Sequence, residues 1–397
     1  MPEVSSVKKC SVFLLYTEIG RGHPTYLDGI IEILETKYPD IKYHRTDVFT
    51  LSSGMSLLFW KIIRTIYYLG ARGGIISRIY NMLRNNLKPG KGNTFLSRIL
   101  GKKIIERLKD FSGLVIVAHP ILAQILSPRF NVVYQHGELV VPDEAIVKNC
   151  RKIIVPLQFT ADKFTNAGVR SNNITIVGQC IENRLISCLR TTIESRLERL
   201  RNTNKFHAAI FSSGAHPSAH INKIILIAES LLNHGHDVII FTGNSRKFRY
   251  RLANHFKRAD IEFSDSLNIE SNLKILYSEN RDIENETTAR MFPHIDFFVA
   301  PAHERTNWGT GLGIPHFILC PHYGSFAPLN AEFALEQGVA YEIKDNVTAR
   351  NFNQLVNDFR NNSDLERMIN NGLGRYENSG FSQAARIISS MIKSQDL

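Results

Sequence analysis

The run Val12-Phe13-Leu14-Leu15-Tyr16, followed at once by Thr17-Glu18-Ile19-Gly20-Arg21-Gly22-His23-Pro24, limits what this chain can fold into more than any other stretch. An apolar run with a β-branched and aromatic lean describes a buried strand, and this one is too short to span a membrane. Tyr26, Ile30, Ile31, Ile33 and Leu34 then recur near helical spacing up to Tyr38-Pro39. The glycines therefore mark a strand-to-helix turn. Gly20 and Gly22 let the backbone come close to a ligand, and the helix N-terminus offers N–H groups to a phosphate or a developing anion. His23 stands at the mouth of that turn, and an imidazole, with its reference pKa of about 6.5, suits proton transfer at neutral pH. A lone G-x-G-H is a common loop, so the rest of the chain decides whether this one is a site.

The strand-then-helix rhythm continues. Leu114 to Ala118 ends at His119-Pro120, Val132-Val133-Tyr134 leads into Gln135-His136-Gly137-Glu138, and Lys152 to Pro156 precedes a helix from Gln158. Alternation of this kind predicts a parallel sheet whose ligands sit at the carboxyl ends of the strands. His23, His119, His136 and Glu138 all fall at such ends. From Glu194 to Lys205 the chain is polar and charged, as a connection between domains would be. A second series follows, with turns at Ser212-Ser213-Gly214, Thr242-Gly243-Asn244, Pro301 to Asn307 and His322 to Phe326. Turns of small residues can hold a diphosphate through backbone N–H groups without a metal. At 397 residues the chain exceeds one ordinary core. The expected fold is α/β: two Rossmann-like domains, 1–193 and 206–375, facing across a central cleft, with 376–397 as a helix returning to the first domain.

Charge singles out one segment. Of the net +11, most comes from 51–110, where twelve basic residues between Lys61 and Lys109 face only Glu106 and Asp110. Aromatic and aliphatic residues interleave with them, and Trp60, Arg64, Tyr67 and Arg72 are placed as a helix lying on an anionic bilayer surface would place them. A helical hairpin with a solvated basic face is the plainer reading. Nucleic acid is not expected, because no binding motif accompanies the charge. An apolar share of 43% with 21% charged residues describes a globular protein without a spanning segment or secretory signal. Five scattered cysteines without CxxC read as reduced thiols in a cytoplasmic protein, peripheral on the inner face of the membrane, with no metal site.

Together these residues resemble a family. The G-x-G-H, Gly168-Val169 before Ile174 to Gly178, Ser-Ser-Gly opening the second half, Thr-Gly-Asn, and Asp296 to Val299 ahead of Gly313-Ile314-Pro315 are similar to the GT-B glycosyltransferases. The nearest branch holds the galactosyl- and glucosyl-diacylglycerol synthases and the peptidoglycan N-acetylglucosaminyltransferase. The resemblance covers roughly Ser11 to Tyr341 and includes the basic insertion 51–110. It implies His23 as a general base for an acceptor hydroxyl, with His119, His136 and Glu138 near that acceptor. It implies a nucleotide sugar, with UDP as the carrier, held without cofactor or metal by Gly22, Ser212, Ser213, Gly214, Thr242, Gly243, Asn244, Thr306, Asn307, Gly324, Ser325 and Asn330. One departure is plain. Where the family has a ribose-binding glutamate this chain has Trp308 followed by Gly309-Thr310-Gly311, and Glu304 is the nearest carboxylate.

The expected activity is hexosyl transfer from a nucleotide diphosphate sugar to a hydroxyl, with a membrane lipid as a candidate acceptor. The alternatives are a sugar-nucleotide epimerase or hydrolase, needing carboxylates such as Glu304, Glu138 or Asp143 near the sugar, and a non-catalytic binder of nucleotide sugar or membrane.

Overall fold

The computed structural model describes residues 10–17, 19, 22–70 and 94–394; Gly20, Arg72 and the side chain of Tyr67, named above, lie outside the described residues. The chain divides into two compact units. The first comprises 10–70, 94–182 and 376–394 of the described residues, and the second 183–375.

The first unit is a six-stranded sheet in which every pairing is parallel. Its strands are β1 Val12–Tyr16, β2 Tyr43–Asp47, β3 Leu114–Val117, β4 Asn131–Gln135, β5 Lys152–Val155 and β6 Ile174–Ile176, in the order β2-β1-β3-β4-β5-β6. β1 and β3 are buried at every residue, as strands covered by helices on both faces must be. The helix Gly22–Lys37 turns Tyr26, Leu27, Ile30, Ile31, Ile33 and Leu34 into that core. The C-terminal helix Gly380–Lys393 packs beside it, with Phe381 lying where a side chain at Gly29 would sit. Its start is tied to the end of β6: Gln179 N–H donates to the Glu377 carbonyl at 2.7 Å and Gly380 N–H to the Gln179 carbonyl at 3.0 Å.

Among its described residues the insertion has two helices, Gly54–Gly70 and Thr94–Leu108. Trp60 does not face outward. It is fully buried between them, its indole N–H donating to the Leu100 carbonyl at 3.3 Å beside the Ser56 hydroxyl at 2.8 Å. A ring with one polar atom is satisfied there by the Leu100 carbonyl, so Trp60 is the seam between the two helices and not a membrane anchor. Arg64 is half-buried over the Phe49 ring at 4.4 Å. The outward face of the first helix instead carries Met55, Leu58, Ile62, Ile66 and Leu69.

The second unit repeats the plan. Its strands are β7 His207–Phe211, β8 Asp237–Phe241, β9 Leu273–Leu276, β10 Phe297–Ala300, β11 His316–Leu319 and β12 Ala340–Ile343, all parallel in the order β12-β11-β10-β7-β8-β9. The charged stretch 194–205 is no open connection; most of it is the end of the helix Leu189–Asn202, which belongs to this unit. The reason is Arg196, which is fully buried and donates to the carbonyls of Ile295 at 2.8 Å and Gly313 at 3.1 Å. Trp308 and the Gly309-Thr310-Gly311 that follows it lie in a buried helix, Thr306–Leu312, so the glycines do not prevent a helix there. Its glycines serve close packing: a side chain at Gly372 on the next helix would strike the Gly309 carbonyl. Among the described residues no helix is long and apolar enough to cross a membrane.

At the amino ends of these strands His207 bridges two carboxylates, Nε2 to Asp237 at 3.2 Å and Nδ1 to Asp296 at 3.3 Å, while Arg199 holds the other oxygen of Asp296 at 2.8 Å. The hydrogen bond to Asp237, then that to Asp296, raises the His207 pKa to about 9. The unfolded value is about 6.5, so charged His207 stabilises fully below that pH and its contribution fades as the pH rises through the folded value. His207→Gln should therefore lower the thermal midpoint at pH 6, by ~2–4 °C for about 1 kcal/mol after solvent screening. The difference from wild type should vanish near pH 10, as read by circular-dichroism melts at both values.

Candidate functional site

In the first unit the strand order reverses between β1 and β3, so the turns leaving them diverge and open a crevice. His23 follows β1 as the second residue of its helix, and His119 follows β3. Their rings meet edge to face with centroids 4.8 Å apart. His119 caps its own helix: Nδ1 accepts the Ile121 N–H at 3.2 Å, which leaves the ring proton on Nε2. Burial, and then the neighbouring His23, hold its pKa well below the ordinary histidine value.

His136, after β4, is also near His23 but does not open toward solvent. Its Nε2–H donates to the Val140 carbonyl at 3.0 Å, and Nδ1 accepts from the Tyr134 hydroxyl at 3.1 Å. Burial depresses its pKa to about 3, so it is neutral and braces the 136–140 turn instead of binding an acceptor. Gly137 is required there because the Tyr26 ring lies against its backbone. Glu138 is buried as well. Gly22 is half-buried at the first position of the helix. The structure thus brings His23 and His119 together at the switch point, with His136 near His23, while Glu138 is buried near Tyr134 and Cys180.

The second unit has its reversal between β7 and β10. The turn after β7 carries Ser212, Ser213 and Gly214, and both serine Oγ atoms are buried with no partner among the described residues. Buried hydroxyls left this way are costly unless something fills the site. Thr306, after β10, has its hydroxyl in the same condition, and Asn307 is buried next to it. After β8 the Thr242 hydroxyl is spent on the Leu276 carbonyl at 2.9 Å, Gly243 takes a positive φ of 57°, and Asn244 is exposed. Gly324, with φ 86° and open space where a side chain would point, and Ser325 precede the helix Phe326–Glu336. Asn330 on that helix is fully buried and donates to the Ala302 carbonyl at 3.4 Å, so it props the loop after β10 from behind.

Glu304 is ion-paired with Arg305 at 3.0 Å, and Arg305 also holds the buried Glu284 at 3.0 Å. The guanidinium lies 4.3 Å above the Phe211 ring and 5.2 Å from that of Trp308, which is itself buried against Phe298 and Phe292. A cation held by two carboxylates over two aromatic faces occupies the region where the resemblance led to expect one carboxylate. A cluster of histidines around β10 and β11 was not foreseen. His316 stacks on Phe298 and donates to the Ala300 carbonyl at 3.1 Å, and His220 donates to the Pro321 carbonyl at 2.8 Å. Burial lowers both, to about 3 and about 4. Their spacing in sequence carries no signal, since His316 lies on β11 and His220 on the helix Ser218–Leu232, about a hundred residues apart.

No protein-family model and no curated protein matches the chain. Solved structures do. The chain is similar to a Staphylococcus aureus MnaA–UDP co-structure, at 10% identity and a TM-score of 0.56 over 96% of each chain. It is similar to UDP-GlcNAc 2-epimerase from Neisseria meningitidis bound to UDP-GlcNAc, at 14% identity and 0.54 over 96% of this chain and 99% of that one. It is also similar to MurG from Acinetobacter baumannii, at 11% identity and 0.53 with the same coverage. The fold expected from the sequence is therefore the fold observed, two parallel-sheet domains of the GT-B kind.

The Arg305 cluster can be tested by stability. Arg305→Met takes the guanidinium away from the nearly buried Glu284 carboxylate and should lower unfolding stability by about 3 kcal/mol. Adding Glu284→Gln should restore most of that loss in a urea titration; an additive loss would show that the two do not act as a pair.

Proposed function

We propose that this protein is a nucleotide-sugar-dependent glycosyltransferase in which the first unit activates an acceptor hydroxyl and the second holds the nucleotide diphosphate. The observation that carries the reading is the pair of neutral imidazoles, His119 and His136, around His23. Histidine neighbours that stay uncharged do not oppose the positive charge His23 gains when it takes the acceptor proton. In the second unit the unpartnered Ser212, Ser213 and Thr306 hydroxyls and the Gly243 and Gly324 turns suit phosphate and ribose oxygens. Two structures sharing the fold hold UDP or UDP-GlcNAc, which supports a uridine nucleotide here. Transfer is preferred to epimerisation because the Glu304 carboxylate is tied to Arg305 and so is poorly disposed to move a proton on the sugar.

Turnover with a panel of UDP-sugars and hydroxyl acceptors tests this. A transferase releases UDP in proportion to acceptor, and His23→Ala should lower kcat about 10²- to 10⁴-fold while nucleotide binding persists. Solvent deuterium entering the sugar without acceptor would assign epimerase chemistry instead, and binding with no turnover would assign a nucleotide-sugar-binding protein.

A membrane lipid as acceptor is the finer reading within this fold, and one observation favours it. Met55, Leu58, Ile62, Ile66 and Leu69 form an exposed stripe at helical spacing on Gly54–Gly70; Lys61 on the same helix, and Arg98 and Lys102 on the helix Thr94–Leu108, are exposed too. An apolar stripe on a basic helical segment suits an anionic bilayer surface. Sedimentation with anionic vesicles at low salt should capture the wild type and release it at high salt. Leu58→Glu with Ile62→Glu should weaken capture at least tenfold, and equal capture by neutral vesicles would remove the idea.

A further inference from the structure

One side-chain cluster in the second unit has no part in the sugar chemistry above. Cys320 and His322 leave the end of β11, and Glu342 stands on the neighbouring β12. Cys320 Sγ lies 3.8 Å from His322 Nε2, which is 2.6 Å from Glu342 Oε1, and one ligand atom from each residue falls within 4.8 Å of the others. We propose that these three side chains form a binding site for a divalent transition metal, with Zn²⁺ as the ion their chemistry selects.

Thiolate, imidazole and carboxylate together suit Zn²⁺ better than Mg²⁺ or Ca²⁺, which take oxygen ligands. Bond lengths of about 2.0–2.3 Å around a tetrahedral ion put ligand atoms roughly 3.3–3.7 Å apart. The sulfur–nitrogen edge already has nearly that length. The nitrogen–oxygen edge is now a hydrogen bond and needs to open by about 0.7 Å on that geometry. The backbone under Cys320 is held from several sides. Cys320 N–H donates to the Ile343 carbonyl at 3.2 Å, Lys223 Nζ to the Cys320 carbonyl at 2.9 Å, and His220 Nε2 to the Pro321 carbonyl at 2.8 Å. Lys344 lies 3.3 Å from Glu342 Oε2, which leaves Oε1 turned to the cluster. These are the outer contacts that orient ligands at a metal site. Both His322 and Glu342 keep part of their side chains exposed, 19% and 17%, which gives the ion an entry path and a fourth position for water. On binding, the Cys320 thiol proton is released to solvent and the imidazole proton moves from Nε2 to Nδ1, so the ion meets a thiolate, a neutral imidazole and a carboxylate.

Co²⁺ titration of the full-length, chelator-treated protein tests the site through the thiolate-to-cobalt charge-transfer band. One equivalent should develop the band and Zn²⁺ should displace it. Cys320→Ser should abolish the band, His322→Gln and Glu342→Gln should each weaken binding at least tenfold, and Cys188→Ser should leave it unchanged. Zn²⁺ should also raise the thermal midpoint of the wild type and not that of the three ligand variants. No band in the wild type, or a band and a Zn²⁺ shift that survive Cys320→Ser, would overturn the proposal. Should Cys320→Ser fail to fold, the His322 and Glu342 variants read the same loss, and undiminished binding in both is equally fatal to it.

Discussion

Every strand pairing in both sheets is parallel, and most of the architecture follows from that one constraint. Parallel neighbours cannot be joined by a tight hairpin; each strand must be followed by a crossover that covers one face of the sheet. Within each sheet the carboxyl ends of the strands then open on one edge. Where the strand order reverses, between β1 and β3 and again between β7 and β10, adjacent crossovers leave on opposite faces and a crevice remains. His23 and His119 stand at the first reversal and Ser212, Ser213 and Thr306 at the second. Their clustering is a consequence of topology before it is a consequence of chemistry.

That edge has a physical liability, since loop carbonyls have no ladder partner and cannot be buried unsatisfied without loss. The chain meets it with buried cationic or imidazole donors. His136 holds the Val140 carbonyl, His316 that of Ala300, and Lys223 and His220 those of Cys320 and Pro321; at the opposite, amino ends of β10 and β11, Arg196 does the same for Ile295 and Gly313. Burial keeps these imidazoles neutral, with pKa values pushed down to about 3 or 4, so each donates one hydrogen without bringing a charge into the interior. Several histidines that look catalytic in sequence are therefore rigid supports. A histidine after a strand marks either chemistry or bracing, and only its partners separate the two.

The sequence showed the central strands and the edge strand β6, and hid the other three edges. β1, β3, β7, β8 and β10 are apolar runs because they are buried on both faces, and periodicity finds them. β2, Tyr-His-Arg-Thr-Asp, and β12, Ala-Tyr-Glu-Ile, lie at sheet edges with much of their surface half-covered, so polar residues are tolerated and the apolar signal fails. β9 is an edge too, interrupted by Lys274. The helix Leu189–Asn202 was hidden for the opposite reason: its charged composition suggests solvent, while Arg196 is buried by contacts that arise about a hundred residues later in the chain. Of the site, the turns were legible because Gly, Ser and Thr punctuate strand ends. The Cys320–His322–Glu342 cluster was not, because Glu342 joins it only through the unseen β12.

Trp308, which stands where the resemblance led to expect a carboxylate, reads differently once its surroundings are known. A lone carboxylate in that buried helix would carry an uncompensated charge. This chain places an indole there, packs it on Phe292 and Phe298, and sets the charges beside it, in Glu304 and Arg305 just before the helix and in Glu284 on the helix Arg281–Met291. Arg305 is attracted by the faces of Phe211 and Trp308 as well as by the two carboxylates, so the aromatic floor and the ion pairs hold one another in place. Removing Trp308 alone would loosen a cation, and restoring a glutamate at that position would put a third carboxylate beside one guanidinium. The substitution is thus coupled to its neighbours, and a change of polar recognition at this helix requires Trp308, Arg305 and Glu304 to change together.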